Sequence, residues 1–330
     1  MSRSIRRTAR HPLALLCATA LAACGGGGSS NGDAAGEPLS LDTATGYSAN
    51  ATLVSGDAGT VLDTSVLAAQ SVIATQATVA AAHESAQGVS AQAVTNATVD
   101  CAGGGTAVLS ITGGTAGSLL NGQLDAGEVY TLTFMDCSGA AGAVAVNGSL
   151  TMTVVTSDAN TLSVTTEAVA LSAALPRGSV TLNGDTARTV SSTTNGGTTQ
   201  LTSHFTSPSL GLTTHYDGRT ADFSLSAVDI TRQATLVNGV LQGSSINGTH
   251  TMGLTLPNGS AFYTVATQGS ATYGPTGLPI AGTWTITLPH AAVGLAIANA
   301  LATITVDQGK DGTIDRSVTV PVSRLASDAG

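Results

Sequence analysis

From residue 101 to residue 322 apolar side chains return at every second position, and this period of two constrains the chain more than any other feature. In Tyr130-Thr131-Leu132-Thr133-Phe134 the apolar residues share one face and the threonines the other. The alternation recurs with Leu109 and Ile111, with Leu150, Met152 and Val154, with Leu162 and Val164, and with Val180 and Leu182. It continues through Phe223 and Leu225, Met252, Leu254 and Leu256, Trp284, Ile286 and Leu288, Ile304 and Val306, and Val318, Val320 and Val322. Half-buried antiparallel strands write such a pattern, because successive side chains of an extended chain point to opposite faces. Dipeptides that tolerate positive φ punctuate the runs and are read as turns: Asn121-Gly122, Asn147-Gly148, Asn183-Gly184, Asn195-Gly196, Asp217-Gly218, Asn238-Gly239, Asn247-Gly248, Asn258-Gly259 and Asp311-Gly312. The expected fold is mainly β, an antiparallel meander, sandwich or barrel forming a single domain over residues 61–327. A parallel β-helix is the architectural alternative, and the irregular strand spacing counts against it. Residues 289–302 (PHAAVGLAIANALA) break the period and are expected as a short helix or a buried loop.

Ahead of the strands, residues 63–87 are Ala-rich and lack Gly and Pro, so one helix is expected there with Asp63 as its N-cap. Val66, Ala69, Ser71, Val72, Ile73, Val79 and Ala80 form its imperfect apolar stripe, suited to covering one face or end of a sheet.

Only 9% of the residues are charged, and eleven basic against twenty acidic side chains give a formal net charge of −9. A nucleic-acid partner is excluded, since Lys310 is the only lysine and no basic face exists to neutralise phosphates. Disorder is disfavoured as well, because a mean hydropathy of +0.27 with Val, Leu and Ile spread along the chain can bury a core.

The first 23 residues have the layout of an export signal: Arg3, Arg6, Arg7 and Arg10 precede a ten-residue apolar run, LALLCATALA, too short to span a bilayer. The run ends at Leu21-Ala22-Ala23-Cys24, which resembles the signal of bacterial lipoproteins. That resemblance implies cleavage before Cys24, a diacylglycerol thioether on its sulfur, and a further acyl chain, such as palmitate, on the new amino terminus. Gly25 in place of Asp after the cysteine implies sorting to the outer membrane. An ordinary secretory signal with an incidental Cys24 is the alternative. More than one acyl chain anchors stably, so such a protein needs no transmembrane helix. Residues 24–60 are then anchor and tether, and the Gly/Ser-rich stretch of twelve residues after Cys24 spans roughly 20 Å as coil. Loss of the four signal arginines leaves seven basic and twenty acidic groups, a formal −13, which does not favour lying on an anionic lipid surface.

Cys17 leaves with the signal and Cys24 is acylated, which leaves Cys101 and Cys137 in an oxidising compartment; a disulfide between them is expected. A metal or catalytic thiol pair is the alternative, and it lacks a neighbouring His and a C-x-x-C spacing. The stretch that these cysteines bracket resembles a group of uncharacterised proteobacterial outer-membrane lipoproteins. The resemblance rests on Cys101, Gly103 and Gly104 at its start and on Gly127, Glu128, Tyr130, Thr131, Leu132, Thr133, Phe134 and Cys137 at its end. It covers about a tenth of the chain and implies class and location, with no activity to transfer.

Candidate sites are few. Asp307, Asp311 and Asp315 in DQGKDGTID resemble a worn calcium loop of the D-x-D-x-D-G type, but Gly309 holds the third ligand position and Lys310 brings a positive charge. The competing reading is a hairpin turn, and Asn121, Asp125 and Glu128 receive the same two readings. No cofactor is expected beyond that calcium. His204, His215 and His250 are a candidate zinc set only if folding brings them together, and His83-Glu84 lacks a second His at helical spacing. No nucleophile elbow, Walker loop or dinucleotide fingerprint occurs, so an enzyme is disfavoured, with a hydrolase built from distant carboxylates as the remaining catalytic option. Trp284, Phe134, Phe223 and Phe262 are expected in the core, and Tyr216 and Tyr273 as the exposed aromatics. The expectation is a non-enzymatic, lipid-anchored protein on the periplasmic side or the surface of the bacterial outer membrane, with a structural or binding role. The rival to it is a carrier or binding module for an apolar or glycan ligand.

Overall fold

In a computed structural model, the residues described are 61–76 (apart from 63 and 67), 94–114, 119, 121, 123–140, 143–175, 178–216, 219–256, 259–275 and 279–322. Helical residues 61–76 form α1. Fifteen strands follow: β1 (Val94–Asp100), β2 (Thr106–Gly113), β3 (Glu128–Cys137), β4 (Val146–Ser157), β5 (Thr161–Leu175), β6 (Gly178–Asn195), β7 (Thr198–Tyr216), β8 (Arg219–Val237), β9 (Val240–Leu256), β10 (Gly259–Thr267), β11 (Ala271–Tyr273), β12 (Pro279–Thr287), β13 (Ala291–Ala298), β14 (Leu301–Gln308) and β15 (Arg316–Pro321). They make one antiparallel sheet in chain order, with the short β11 set between β9 and β12. The meander is therefore the observed choice among the three expected, and the β-helix is overturned, because every pairing is antiparallel to a sequence neighbour or near neighbour. Among the described residues β1 and β15 do not pair with each other, so the sheet is open.

One face of the sheet is apolar and covered. Leu109, Ile111, Tyr130, Leu132, Leu150, Met152, Val154, Leu182, Leu210, Val293, Ile304 and Val306 are fully buried and belong to one continuous core that also takes in Val61, Ala68, Ala69, Val72 and Ile73 of α1. The burial of α1 at 61, 65, 68, 69, 72 and 73 follows the helical period. Ser71 Oγ accepts the amide of Ala102 at 3.1 Å and so ties α1 to the turn after β1. Residues 61 and 62 are already helical, ahead of the expected N-cap, and Asp63, together with Val79, Ala80 and the rest of the expected span to 87, lies outside the described residues. Residues 1–60, with Cys24, also lie outside them.

Strand length is uneven. β6 to β9 run 17 to 19 residues, against 8 for β2 and 8 for β14. At about 3.3 Å per residue the longest strands reach roughly 60 Å. They project past the core as an arm of four strands, flanked by β5 and β11.

Bulges interrupt the ladder at several places. Asn96, Asp136, Ala170 and Ala227 each have φ near +50° and sit at register shifts in β1, β3, β5 and β8. A further irregularity falls at Pro208 of β7, where a missing amide donor is tolerated because the ladder is already interrupted. These bulges explain three misread turns. Asn147-Gly148, Asn183-Gly184 and Asn247-Gly248 lie inside β4, β6 and β9, not between strands. Asn147 Oδ1 accepts the amide of Asp136 at 2.8 Å and Asn183 Oδ1 that of Ala170 at 2.6 Å, so each asparagine satisfies a donor that a bulge has freed. Gly148 has φ +99°, and a Cβ there would stand 2.1 Å from the Ala170 carbonyl oxygen, so only glycine fits the close approach. True turns follow Asn195, at Gly196-Gly197, and fall at Asn238-Gly239; in each pair both residues have positive φ, as a tight hairpin demands.

A second correction concerns residues 289–302. They form β13 and its hairpin to β14, with Ala291, Val293 and Ile297 buried. Period two is present there but hidden, because the outward positions carry Ala292, Gly294, Ala296 and Ala298 in place of polar residues.

Candidate functional site

Cys101 and Cys137 are bonded, with Cα atoms 5.5 Å apart, joining the end of β1 to the end of β3. The thiol pair is thus a staple. Beside it Gly103 N donates to the Ser138 carbonyl at 2.8 Å and Ser138 N to Gly104 O at 3.0 Å, so the glycines of the Cys-Gly-Gly segment hold the two chain ends together.

The Asp307 loop is built as a hairpin connection. Asp307 Oδ1 and Oδ2 accept the amides of Asp311 and Gly312 at 3.2 and 3.0 Å, Asp311 Oδ1 that of Thr313 at 2.8 Å, and Asp315 Oδ2 that of Gln308 at 2.6 Å. Lys310 reaches away to the Leu288 carbonyl at 3.0 Å. The carboxylates hold backbone N–H groups around a turn. In the other acidic loop Glu128 is fully buried; its Oε2 accepts the Tyr130 hydroxyl and the Asp125 amide, while Oε1 finds no hydrogen-bond partner. Burial, and then this carboxylate, push the Tyr130 phenol far above its ordinary range. Among the described residues no three His, Cys, Asp or Glu side chains gather as a metal set.

The three histidines stay apart. His204 Nε2 lies 2.8 Å from Asp229 Oδ1 on the polar face, and His215 Nδ1 lies 2.8 Å from Thr220 Oγ1 farther along β7. His250 is buried on the opposite, apolar face, where burial lowers its pKa to about 4. The aromatics divide differently from expectation. Phe134 and Phe223 are core and Trp284 is half-buried, but Phe262 is 57% exposed because the register gives the inward position to Tyr263. Tyr273 is half-buried and its phenol is raised by burial, while the side chain of Tyr216 lies outside the described residues.

The most distinctive chemistry lies on the inner face of the arm, which sequence reasoning missed. Cross-strand partners occupy one face, and one row reads Val164, Arg188, Phe205, Ile230 and Gly248 across β5 to β9. The next row reads Leu162, Val190, Ser203, Arg232, Ile246 and Ala271. A third carries Ser192, Leu201, Ala234, Ser244 and Tyr273. Gly248 N donates to Thr267 Oγ1 at 2.8 Å, and Thr267 pairs with Trp284, which extends the first row to the indole. Leu162, Val190, Leu201, Phe205, Ile230, Ile246 and Trp284 are half-buried here, unlike the sealed core. Arg188 Nε donates to Ser203 Oγ at 3.1 Å, and Ser203 is the cross-strand partner of Arg232 in the register of β7 and β8. Burial, and then the positive charge of Arg232, lower the Arg188 pKa. Arg232 also opposes the rise at Tyr273, which places the phenol within reach of the same charge.

No family model, curated protein or solved structure matches this chain.

Proposed function

We propose that this chain is a lipid-anchored protein of the bacterial outer membrane whose β-domain has a non-catalytic, binding role. The observation that carries the binding role is the inner face of β5 to β9, where Leu, Ile, Val, Phe and Trp side chains stay half-buried in rows that also hold Arg188 and Arg232. An apolar ligand is favoured over a glycan, since the face is lined by aliphatic side chains and not by a row of exposed rings. A hydrolase draws less support, since Glu167, Asp185, Asp222 and Asp229 of β5 to β8 occupy the other face and do not flank this surface.

The anchor rests on Leu21-Ala22-Ala23-Cys24 and on the export-signal layout before it. Two measurements test the proposal. Membrane fractionation of Cys24→Ser should move the protein from the membrane to the soluble periplasmic fraction, and full retention in the membrane overturns the anchor. Native mass spectrometry of the released protein should show a copurifying adduct, and a bare mass after extraction without detergent counts against the binding role.

A further inference from the structure

We propose that the loop between β2 and β3 holds one calcium ion on Glu128 and Asp125, with the side-chain oxygen of Asn121 and the main-chain carbonyl of Gln123 as its neutral ligands. The site goes beyond the binding role proposed above and does not depend on it.

Glu128 carries the argument. It opens β3, is 0% exposed, and keeps one oxygen without any partner. Its Oε2 accepts the Asp125 amide at 2.9 Å and the Tyr130 hydroxyl, and that hydroxyl also reaches the Gln123 carbonyl at 3.3 Å. The loop thus encloses the carboxylate, and Oε1 lies inside it, closed to water and accepting nothing. A buried carboxylate needs matching by a cation or by a full set of donors. No Lys or Arg occurs between Arg10 and Arg177, so neither α1 nor β1 to β5 offers one before Arg188 of β6. In the Asp307 loop, by contrast, both oxygens of Asp307 already hold amides.

Asp125 brings a second carboxylate to the same place. Its charge bears on the Tyr130 phenol as that of Glu128 does, which puts both within reach of one hydroxyl. Asn121 Nδ2 donates to Asp125 Oδ2 at 2.5 Å and Asn121 Oδ1 accepts the Gln123 amide at 2.7 Å, so the three residues fold round one centre. Two carboxylates facing that centre repel each other, and a divalent ion between them turns the repulsion into attraction.

The donors select the ion. All are oxygens, with no imidazole or thiolate among them, which suits a hard cation and not zinc or copper. Calcium takes roughly six to eight oxygens in flexible geometry and completes its shell with water, whereas magnesium demands a near-ideal octahedron. Asn121 and Gln123 are exposed and Asp125 half-buried, so the ion exchanges with solvent, at a dissociation constant of about 10⁻⁴ to 10⁻³ M. Gly114 N donates to Gly127 O at 2.9 Å and Gly127 N to Val154 O at 2.8 Å, so an ion here fastens the β2–β3 connection to β4.

The test uses the full chain carrying Cys24→Ser, purified with its disulfide and stripped by a chelator, and titrates calcium and magnesium by calorimetry. Calcium should bind at one site per chain, magnesium at least about tenfold more weakly, and about 10 mM calcium should raise the thermal midpoint by about 3 °C or more. Glu128→Gln and Asp125→Asn should each weaken calcium by about tenfold or more, and Asp315→Asn in the other acidic loop not at all. In chelator Glu128→Gln should melt no lower than the native chain, because it removes an unmatched buried charge, and in calcium it should melt lower. Circular dichroism establishes that each variant is folded, and Asp125→Asn, at a half-buried position, keeps the test available if Glu128→Gln does not fold. Absence of binding heat with an unshifted midpoint, or calcium affinity unchanged in both loop variants, overturns the site. Equal lowering of the Glu128→Gln midpoint with and without calcium overturns it too, as does loss of binding in Asp315→Asn alone.

Discussion

His250 gives the sharpest test of the packing. It lies on the inner face of β9 opposite Val265, is 7% exposed, and its Nε2 has no hydrogen-bond partner. Burial lowers its pKa from 6.5 to about 4, so the folded state holds the imidazole neutral where the unfolded chain would protonate it. The unfolded state thus binds more protons between those values, and stability rises with pH across that window. The contribution is complete above the unfolded pKa and is lost progressively as the pH falls toward the folded one. At about 1.36 kcal/mol per unit, linkage gives a loss of about 2 kcal/mol at about pH 5 relative to about pH 7.5. His250→Leu removes both the titration and the unpartnered nitrogen at similar volume, so it should be as stable as the native chain, or more so, at the higher pH. Urea unfolding of both proteins at the two pH values reads the difference directly. The native chain should lose about 2 kcal/mol more than His250→Leu on acidification, all other groups being common to both. Equal losses in the two proteins refute a buried neutral imidazole at this position.

Three further outcomes follow from the same structure. Replacing Cys101 and Cys137 together by serine should lower the unfolding free energy by about 4 kcal/mol in the chain-entropy view, read as a lower urea midpoint, for a loop with a sequence separation of 36. Gly148→Ala should destabilise by about 3 kcal/mol or prevent recovery of folded protein, because the new Cβ meets a carbonyl oxygen at 2.1 Å with φ at +99°; thermal melting against the native chain checks it. Phe262→Ser should change stability by no more than about 0.5 kcal/mol while Tyr263→Ser costs about 3 kcal/mol or more, since the first ring is 57% exposed and the second 2%. A reversed order in urea melts places the register of β10 one residue out.

Much of this fold is legible in the chain. Alternation in Tyr130-Thr131-Leu132-Thr133-Phe134 names the buried face of β3, and the two cysteines left after the signal and lipid positions are set aside do pair. Legibility fails where the outward positions are not polar, as in β13, and where Asn-Gly serves a bulge instead of a turn, as at Asn147-Gly148. The turn at Asp307 was legible from Asp311-Gly312, whereas the backbone amides that Asp307 and Asp315 accept are set by the loop geometry and not by residue type alone.

The cationic face was invisible for a different reason, which lies in the bulges. Alternation carried forward from Phe223 and Leu225 of β8 would put Ala227, Asp229 and Thr231 inside and Arg232 outside. The residue added at Ala227, with φ +49°, reverses the parity, so Val228, Ile230 and Arg232 face inward and Asp229 faces out beside His204. The irregularity at Pro208 does the same to β7: counted back from Leu212 and Leu210, His204 and Thr206 would point inward, yet Phe205 and Ser203 do. In β6 no reversal intervenes, and Val180, Leu182 and Arg188 share a face by simple counting. Two extra residues, one in each of two neighbouring strands, thus bring Phe205, Ser203 and Arg232 to Arg188 and turn Asp229 away. Threaded with no bulge at Ala227, the same residues would put Asp229 and Thr231 on the inner face and Arg232 on the outer one. Deleting Ala227 removes the extra residue itself: Val228, Ile230 and Arg232 then follow Leu225 inward by plain alternation and the pairing with β9 becomes regular, so the sorting of side chains between the two faces survives the deletion.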